Sequence, residues 1–125
     1  MTTNIKIDKD KKIIQRTVAG GLYTDRAIEL VQELSMAANL HRGYNILLDL
    51  RDTVTVPEMY DLMAITSACS RLRNNFNNKI AFLIPNTEER VRFAKLFRAC
   101  MEAQSFQLKH FFDRKTAMEW LSEEA

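Results

Sequence analysis

The chain has 125 residues, of which 46% are hydrophobic and 27% charged, as is typical of globular proteins. Its formal net charge is +2, from 18 Lys and Arg against 16 Asp and Glu, and this small excess argues against a nucleic-acid or membrane-surface partner. With only 3 Gly and 2 Pro and no low-complexity tract, the length predicts a single domain over residues 1–125.

Targeting and redox signals are absent from the sequence. The first twelve residues hold no apolar stretch of signal-peptide length, and no run approaches the length of a membrane span. Cys69 and Cys100 form no CxxC pair, and both fall within helical patterns. These features predict a cytoplasmic protein with two reduced, buried cysteines.

The N-terminal part of the chain reads as a hairpin followed by a helix. Residues 4–8 and 13–19 alternate apolar and polar side chains across a polar turn, which predicts two antiparallel strands ended by the glycines at 20–21. Thr24 then stands where an N-cap is expected. Apolar residues at helical spacing predict an amphipathic helix from there to about Gly43.

The next strand is predicted to be the centre of the fold. Ile46, Leu47, Leu48 and Leu50 form a nearly continuous apolar run. A strand covered on one face alternates apolar and polar residues, whereas a strand covered on both faces reads like this run. We therefore expect helices on both sides of it.

Two further β-α units complete the pattern. Pro57 is predicted to open the second helix, and Thr87 and Asp113 to cap the third and fourth. Residues 79–84 and 106–112 are predicted to be strands. Helical spacing gives the inner faces of the second and third helices as Met59, Leu62, Met63, Cys69 and Leu72, and as Phe93, Ala94, Phe97, Cys100 and Met101. The order β-β-α-β-α-β-α-β-α predicts an α/β fold with a mostly parallel mixed sheet flanked by helices.

Four stretches carry a resemblance to a known family. Residues 18–22 (VAGGL), 46–52 (ILLDLRD), 80–85 (IAFLIP) and 111–121 (FFDRKTAMEWL) together resemble a STAS-type domain of the SpoIIAA-like group, the anti-sigma-factor-antagonist fold. The resemblance implies a bacterial, cytoplasmic α/β module that regulates by binding a protein partner, with no catalysis. A related fold is found in lipid-carrying Sec14-type domains.

One feature of that family is missing. Phosphorylatable STAS domains have an Asp-Ser-Ser-Gly-like turn after the central strand, but residues 52–58 contain neither serine nor glycine. Thr53 and Thr55 are the hydroxyls nearest to that position. The sequence therefore argues against a phosphorylation switch.

The carboxyl ends of the predicted parallel strands are the first candidate site, because ligands of open α/β sheets bind at that edge. An arginine and free helix N–H groups there suit an anion or a partner's carboxylate. The alternative is that these polar residues merely cap helices and close turns, which their types favour. The candidates are Arg51, Asp52, Thr53, Thr55, Asn86 and Thr87.

The second candidate site is apolar. Methionines and phenylalanines on the second and third helices suit an adaptable lipophilic pocket or an oligomer interface. Ordinary core packing explains the same spacing and is the favoured interpretation. The candidates are Met59, Met63, Phe93, Phe97 and Met101.

The sequence offers little support for catalysis. His41 and His110 neighbour no nucleophile motif, and there is no HExxH, CxxC or glycine-rich phosphate loop. We therefore expect no catalytic residues, cofactor or metal site. The leading hypothesis is a non-enzymatic regulatory or protein-interaction module, expected to be a homodimer that binds no nucleic acid. The alternatives are a carrier or sensor of a small lipophilic ligand and, third, an enzyme with a dispersed site.

Overall fold

Strands and helices alternate along the part of the chain that the structure describes. This structure is a computed structural model; it describes residues 5–54, 59–73 and 76–123, and of residues 59 and 60 the backbone alone. The elements are β1 Ile5–Asp8, β2 Ile13–Gly21, α1 Thr24–Leu40, β3 Asn45–Val54, α2 Met59–Leu72, β4 Lys79–Leu83, α3 Glu88–Glu102, β5 Gln107–Phe111 and α4 Arg114–Ser122. The predicted order is confirmed.

The five strands form one mixed sheet in the order β1-β2-β3-β4-β5. β1 pairs antiparallel with β2, while the pairs β2-β3, β3-β4 and β4-β5 are parallel. Each parallel pair is joined by a helix that returns the chain to the start of the next strand. The α/β architecture with an antiparallel hairpin at one side is therefore confirmed, and β3 is the central strand.

β3 is buried on both faces, as its apolar run predicts. Ile46, Leu48 and Leu50 belong to the larger core, which the helices α1, α2 and α3 cover. Leu47 points to the opposite face and packs with α4 residues such as Ala117. The two faces are thus covered unequally, by three helices on one side and by α4 on the other.

α4 is held against its face of the sheet by polar contacts to its last turn. The Asn45 amide donates to the Leu121 carbonyl at 3.0 Å, and Lys79 Nζ donates to the Trp120 carbonyl at 2.9 Å. Lys79 Nζ also lies 5.2 Å from the centre of the Trp120 ring. These contacts satisfy carbonyls that a helix end leaves without partners.

Two of the three predicted helix caps are confirmed. Thr87 Oγ1 accepts from the Arg90 N–H at 3.3 Å, and Asp113 Oδ2 accepts from the Thr116 N–H at 2.9 Å. The prediction for Thr24 is wrong, because Tyr23 is the N-cap of α1 and no side chain caps it. The Thr24 hydroxyl donates instead to the Asp61 carboxylate of α2.

Two other expectations need correction. β2 does not end before Gly20 and Gly21 but continues through them, because β3 extends far enough to pair with both. Met63 is 64% exposed and does not belong to the inner face of α2, since it stands one position past the buried Leu62. The predicted role of Pro57 as the opening residue of α2 lies outside the described residues.

The buried central strand predicts a large difference between two identical substitutions. Leu47→Ala removes a side chain that is fully buried in β3 and should lower the free energy of unfolding by about 2–5 kcal/mol. Leu40→Ala acts at the 77% exposed end of α1 and should change it by less than about 0.5 kcal/mol. Urea denaturation followed by circular dichroism measures both, and equal losses would contradict the burial of β3.

The Asp113 cap predicts a specific dependence of stability on pH. The backbone N–H and then the hydroxyl of Thr116 donate to Asp113 and hold the pKa of its carboxyl below the usual value. A pKa that is lower in the folded state gives a stabilisation that is complete above the unfolded-state pKa and is lost as the pH falls through the folded-state pKa. Asp113→Asn caps the helix without titrating in this range. The urea midpoint of the wild type should therefore fall more on acidification from neutral pH than that of Asp113→Asn, and parallel falls would contradict the cap.

Candidate functional site

A cavity of about 440 Å³ lies between the sheet and the three helices on its more heavily covered face. α1 lines it through Leu30 and Leu34, α2 through Ile65 and Cys69, and α3 through Phe93 and Phe97. Its floor consists of residues of β3 and β4 and the residue after β4, namely Ile46, Leu48, Leu50, Ile80, Phe82 and Ile84. Its interior is thus built from apolar side chains.

The polar residues of the cavity lie at one end. Thr24 and Asp25 begin α1, Asp61 is in the first turn of α2, and Arg90 is in the first turn of α3. The chain leaves β2, β3 and β4 at the same edge of the sheet, so these helices begin there together. The cavity therefore has an apolar interior and a polar rim at the carboxyl edge of the strands, where α/β folds commonly bind ligands.

Aromatic rings and a buried thiol form part of the cavity wall. The Phe97 ring stacks against Phe82 with 5.5 Å between centroids, and against Phe93 with 6.2 Å. Burial raises the pKa of the Cys69 thiol to about 12. Because a thiol with this pKa stays protonated near neutrality, Cys69 acts as an apolar wall group rather than as a nucleophile.

Arg90 connects the rim to the end of the central strand. Its Nη1 donates to the Thr53 carbonyl and its Nη2 to Thr53 Oγ1, both at 2.8 Å. The Thr53 hydroxyl in turn donates to the Leu50 carbonyl at 2.6 Å. The pairing of β2 with β3 shifts register at this point, as in a β-bulge. The buried hydroxyl thus joins the irregular end of β3 to the start of α3.

The structure separates the residues of the predicted anion or partner site. The Arg51 guanidinium donates two hydrogen bonds to the Asp49 carboxylate of its own strand, at 3.0 and 2.9 Å. Burial alone would raise the pKa of the Asp49 carboxyl, but the hydrogen bonds and charge of Arg51 outweigh this effect and lower it. Thr53 and Thr87 instead both contact Arg90.

The remaining predicted polar residues do not join either group. Asp52 and Asn86 are exposed, and Thr55 lies outside the described residues. Thr53 is buried, and its hydroxyl already donates one hydrogen bond and accepts another. A kinase would have to break both bonds to reach it. Whether any of these residues binds an anion or a partner stays a prediction.

Three of the five residues predicted for a lipophilic pocket line the cavity. They are Phe93, Phe97 and Met101 of α3. Met63 faces solvent, so a role for it would be at an interface, and the side chain of Met59 lies outside the described residues. Phe97 and Met101 are also buried members of the core, so the core-packing interpretation that the sequence favoured holds for them beside the cavity.

Sequence reasoning did not name Arg90, one of several basic residues of α3, as a site residue. Arg92 and Arg98 do pair with acids one turn away, Glu88 and Glu102, at 3.5 and 2.5 Å. One signal set Arg90 apart. It lies in the first turn of α3, and the helix dipole disfavours a cation there.

The two histidines occupy separate surroundings. The His41 ring lies 5.3 Å from the Tyr44 ring after α1. His110 is on β5, where its Nδ1 is buried without a hydrogen-bond partner and where burial, followed by the charges of Arg98 and Lys95, lowers its pKa. Across residues 5–54, 59–73 and 76–123, no hydrogen bond joins either imidazole to a hydroxyl or thiol, and no three His, Cys, Asp or Glu residues are grouped so that they could hold a metal ion.

Crossing a membrane requires a helix that is both long and apolar, and no helix within residues 5–54, 59–73 and 76–123 meets both requirements.

Comparison with known proteins found likeness in structure alone. No protein-family model and no curated protein matches the chain. Among solved structures, it is similar to an uncharacterized protein of the DUF3478 family from Shewanella loihica, which has a SpoIIAA-like fold. The TM-score is 0.63 at 14% identity, and the alignment covers 96% of this chain and 92% of the other. At this identity the likeness shows the fold, and the predicted SpoIIAA-like fold is thereby confirmed.

Proposed function

We propose that this chain is a non-enzymatic SpoIIAA-like module that binds a small lipophilic ligand between its sheet and helices α1, α2 and α3. The observation that carries the proposal is the cavity of about 440 Å³ with its apolar lining. Pockets for small molecules typically measure about 300–1,000 Å³ and combine apolar walls with a few polar groups. This cavity has both properties.

The small residues of the cavity wall support a function for it. Protein interiors pack as densely as organic crystals and leave few spaces larger than a water molecule. Larger side chains at small residues of the wall, such as Ala94, would fill part of this cavity. A wall that keeps small residues leaves room for a ligand.

The side chains of the cavity favour ligand binding over catalysis. Cys69 is held protonated by burial, and the interior side chains offer no other nucleophile. The polar rim groups are already engaged in part, since the Thr24 hydroxyl donates to Asp61 and Arg90 donates to Thr53. We infer that the rim orients a ligand and that the interior solvates its apolar part.

Exposed apolar side chains favour a second candidate function, a regulatory protein-interaction module. Tyr23 and Val54 are each 62% exposed. They lie close together, because the Leu22 N–H donates to the Val54 carbonyl and the Tyr23 ring lies over Gly21, the register partner of Val54. Exposed aromatic and aliphatic groups of this kind are typical of protein interfaces. We refer to Tyr23 and Val54 together as the rim patch.

The proposed ligand binding predicts that a larger side chain in the cavity wall weakens the affinity for the ligand. Ile65→Trp places an indole in the wall and should weaken the binding of dodecanol and of dodecanoate by roughly tenfold or more, since each buried CH₂ contributes about 0.8 kcal/mol. Ile28→Trp makes the same change on α1 at a half-buried residue that does not line the cavity, and should leave binding unchanged. Isothermal titration calorimetry measures the affinities.

Native mass spectrometry should also find a small molecule on the purified protein that organic extraction removes. The proposal fails if the wild type binds neither amphiphile.

The second candidate predicts that the rim patch supports self-association. Val54→Ser should weaken a homodimer by more than about 1 kcal/mol, the scale of an interface residue that matters. Met36→Ser changes an exposed apolar residue near the other end of α1 and should have no effect. Sedimentation equilibrium measures the dissociation constants. A strictly monomeric wild type would count against a homodimer at this surface.

A further inference from the structure

Arg90 places a positive charge at the polar rim of a cavity whose interior is apolar. We propose that the ligand of this cavity is an amphipathic anion, with a carboxylate, sulfate or phosphate head that binds Arg90 and an apolar chain that lies over the floor formed by β3 and β4. This inference rests on the proposed function and names the chemical class of the ligand.

The Arg90 guanidinium is held in place by hydrogen bonds that use only part of its donors within the described residues. A guanidinium has five N–H donors. Within the described residues two of them are used, for the carbonyl and the hydroxyl of Thr53 at 2.8 Å each. Those contacts fix the orientation of the planar guanidinium group. Arg90 also lines the cavity. The remaining donors are therefore preorganised for an oxygen acid, which guanidinium groups bind in a planar, bidentate manner.

The charge of Arg90 also lacks a counter-ion within the described residues. Arg16, Arg51, Arg92 and Arg98 each form an ion pair with a carboxylate. In the same part of the chain no acidic group lies within 4.0 Å of the Arg90 guanidinium. Arg90 is half-buried, and this burial lowers its pKa. A cation removed from water is unfavourable unless an anion accompanies it. An anionic head group supplies that charge.

Two acidic residues at the rim favour a ligand of the opposite charge, and this difference can be tested. Asp25 and Asp61 also line the cavity, so they would favour a cationic head. Asp25 is exposed to water, which screens its charge, and Asp61 accepts the Thr24 hydroxyl. The α1, α2 and α3 helices all begin at this end, and the positive ends of their dipoles favour an anion. The oriented donors of Arg90 and the three dipoles favour the anion, and the two carboxylates define the competing outcome of the test.

The test compares three probes that share one apolar chain: dodecanoate, dodecanol and dodecylamine, each below its critical micelle concentration. We expect the wild type to bind dodecanoate roughly tenfold to a hundredfold more tightly than dodecanol, the range for a hydrogen bond to a charged group. Arg90→Gln should abolish this preference without weakening dodecanol, and Arg90→Lys should keep part of it. Arg92→Gln removes the same charge from the exposed side of the same helix and should leave the preference intact.

The chemical identity of the anionic head group is tested next with dodecyl sulfate and monododecyl phosphate. Preference for any of the three anions over dodecanol supports the proposal, and their ranking identifies the head. A wild type that also favours dodecanoate more strongly at low salt than at high salt supports it even if Arg90→Gln does not fold.

Three results would overturn the inference in distinguishable ways. Equal affinity for dodecanoate and dodecanol in the wild type would leave the cavity as a site for neutral lipophiles, so that the proposed function stands without the anion. Tightest binding of dodecylamine would assign the head group to the rim acids. Binding of none of the probes would reject the proposed function and the inference together.

Discussion

The burial of β3 on both of its faces is the constraint on which the rest of the structure depends. Leu47 points to one face and Ile46, Leu48 and Leu50 to the other, so neither face of the sheet centre can be left to water. Together these side chains represent several kcal/mol of hydrophobic stabilisation, at about 1.5–3 kcal/mol each. The helices must therefore cover both faces of the sheet.

Unequal coverage of those faces explains where the cavity lies. On one face the single helix α4 packs closely, with Ala117 fully buried against Leu47. On the other face three helices share the cover, and α2 contacts α1 more extensively than it contacts α3. Space remains between α3 and the other two helices, above β3 and β4. The cavity is thus a property of the helix arrangement, and its rim coincides with the strand ends because all three helices start there.

The secondary structure was predictable because its signals are local. The apolar run at residues 46–50, the caps at Thr87 and Asp113 and the alternation of the hairpin each act over a few residues. The error at Thr24 has a long-range cause, since its hydroxyl contacts Asp61 of another helix rather than its own first turn. Met63 was misplaced because several apolar residues of α2 fit helical spacing, and packing alone decides which of them face inward.

The site was less predictable, since it depends on distances between elements. The sequence placed Phe93, Phe97 and Met101 on an inner face, but close packing and a cavity require the same residue types at the same spacing. The pairing of Arg90 with Thr53 joins residues 37 positions apart through a register shift that no local pattern reveals. Tyr23 lines the cavity and also belongs to the rim patch, so the two proposed binding surfaces meet at a residue that no local pattern assigns to either.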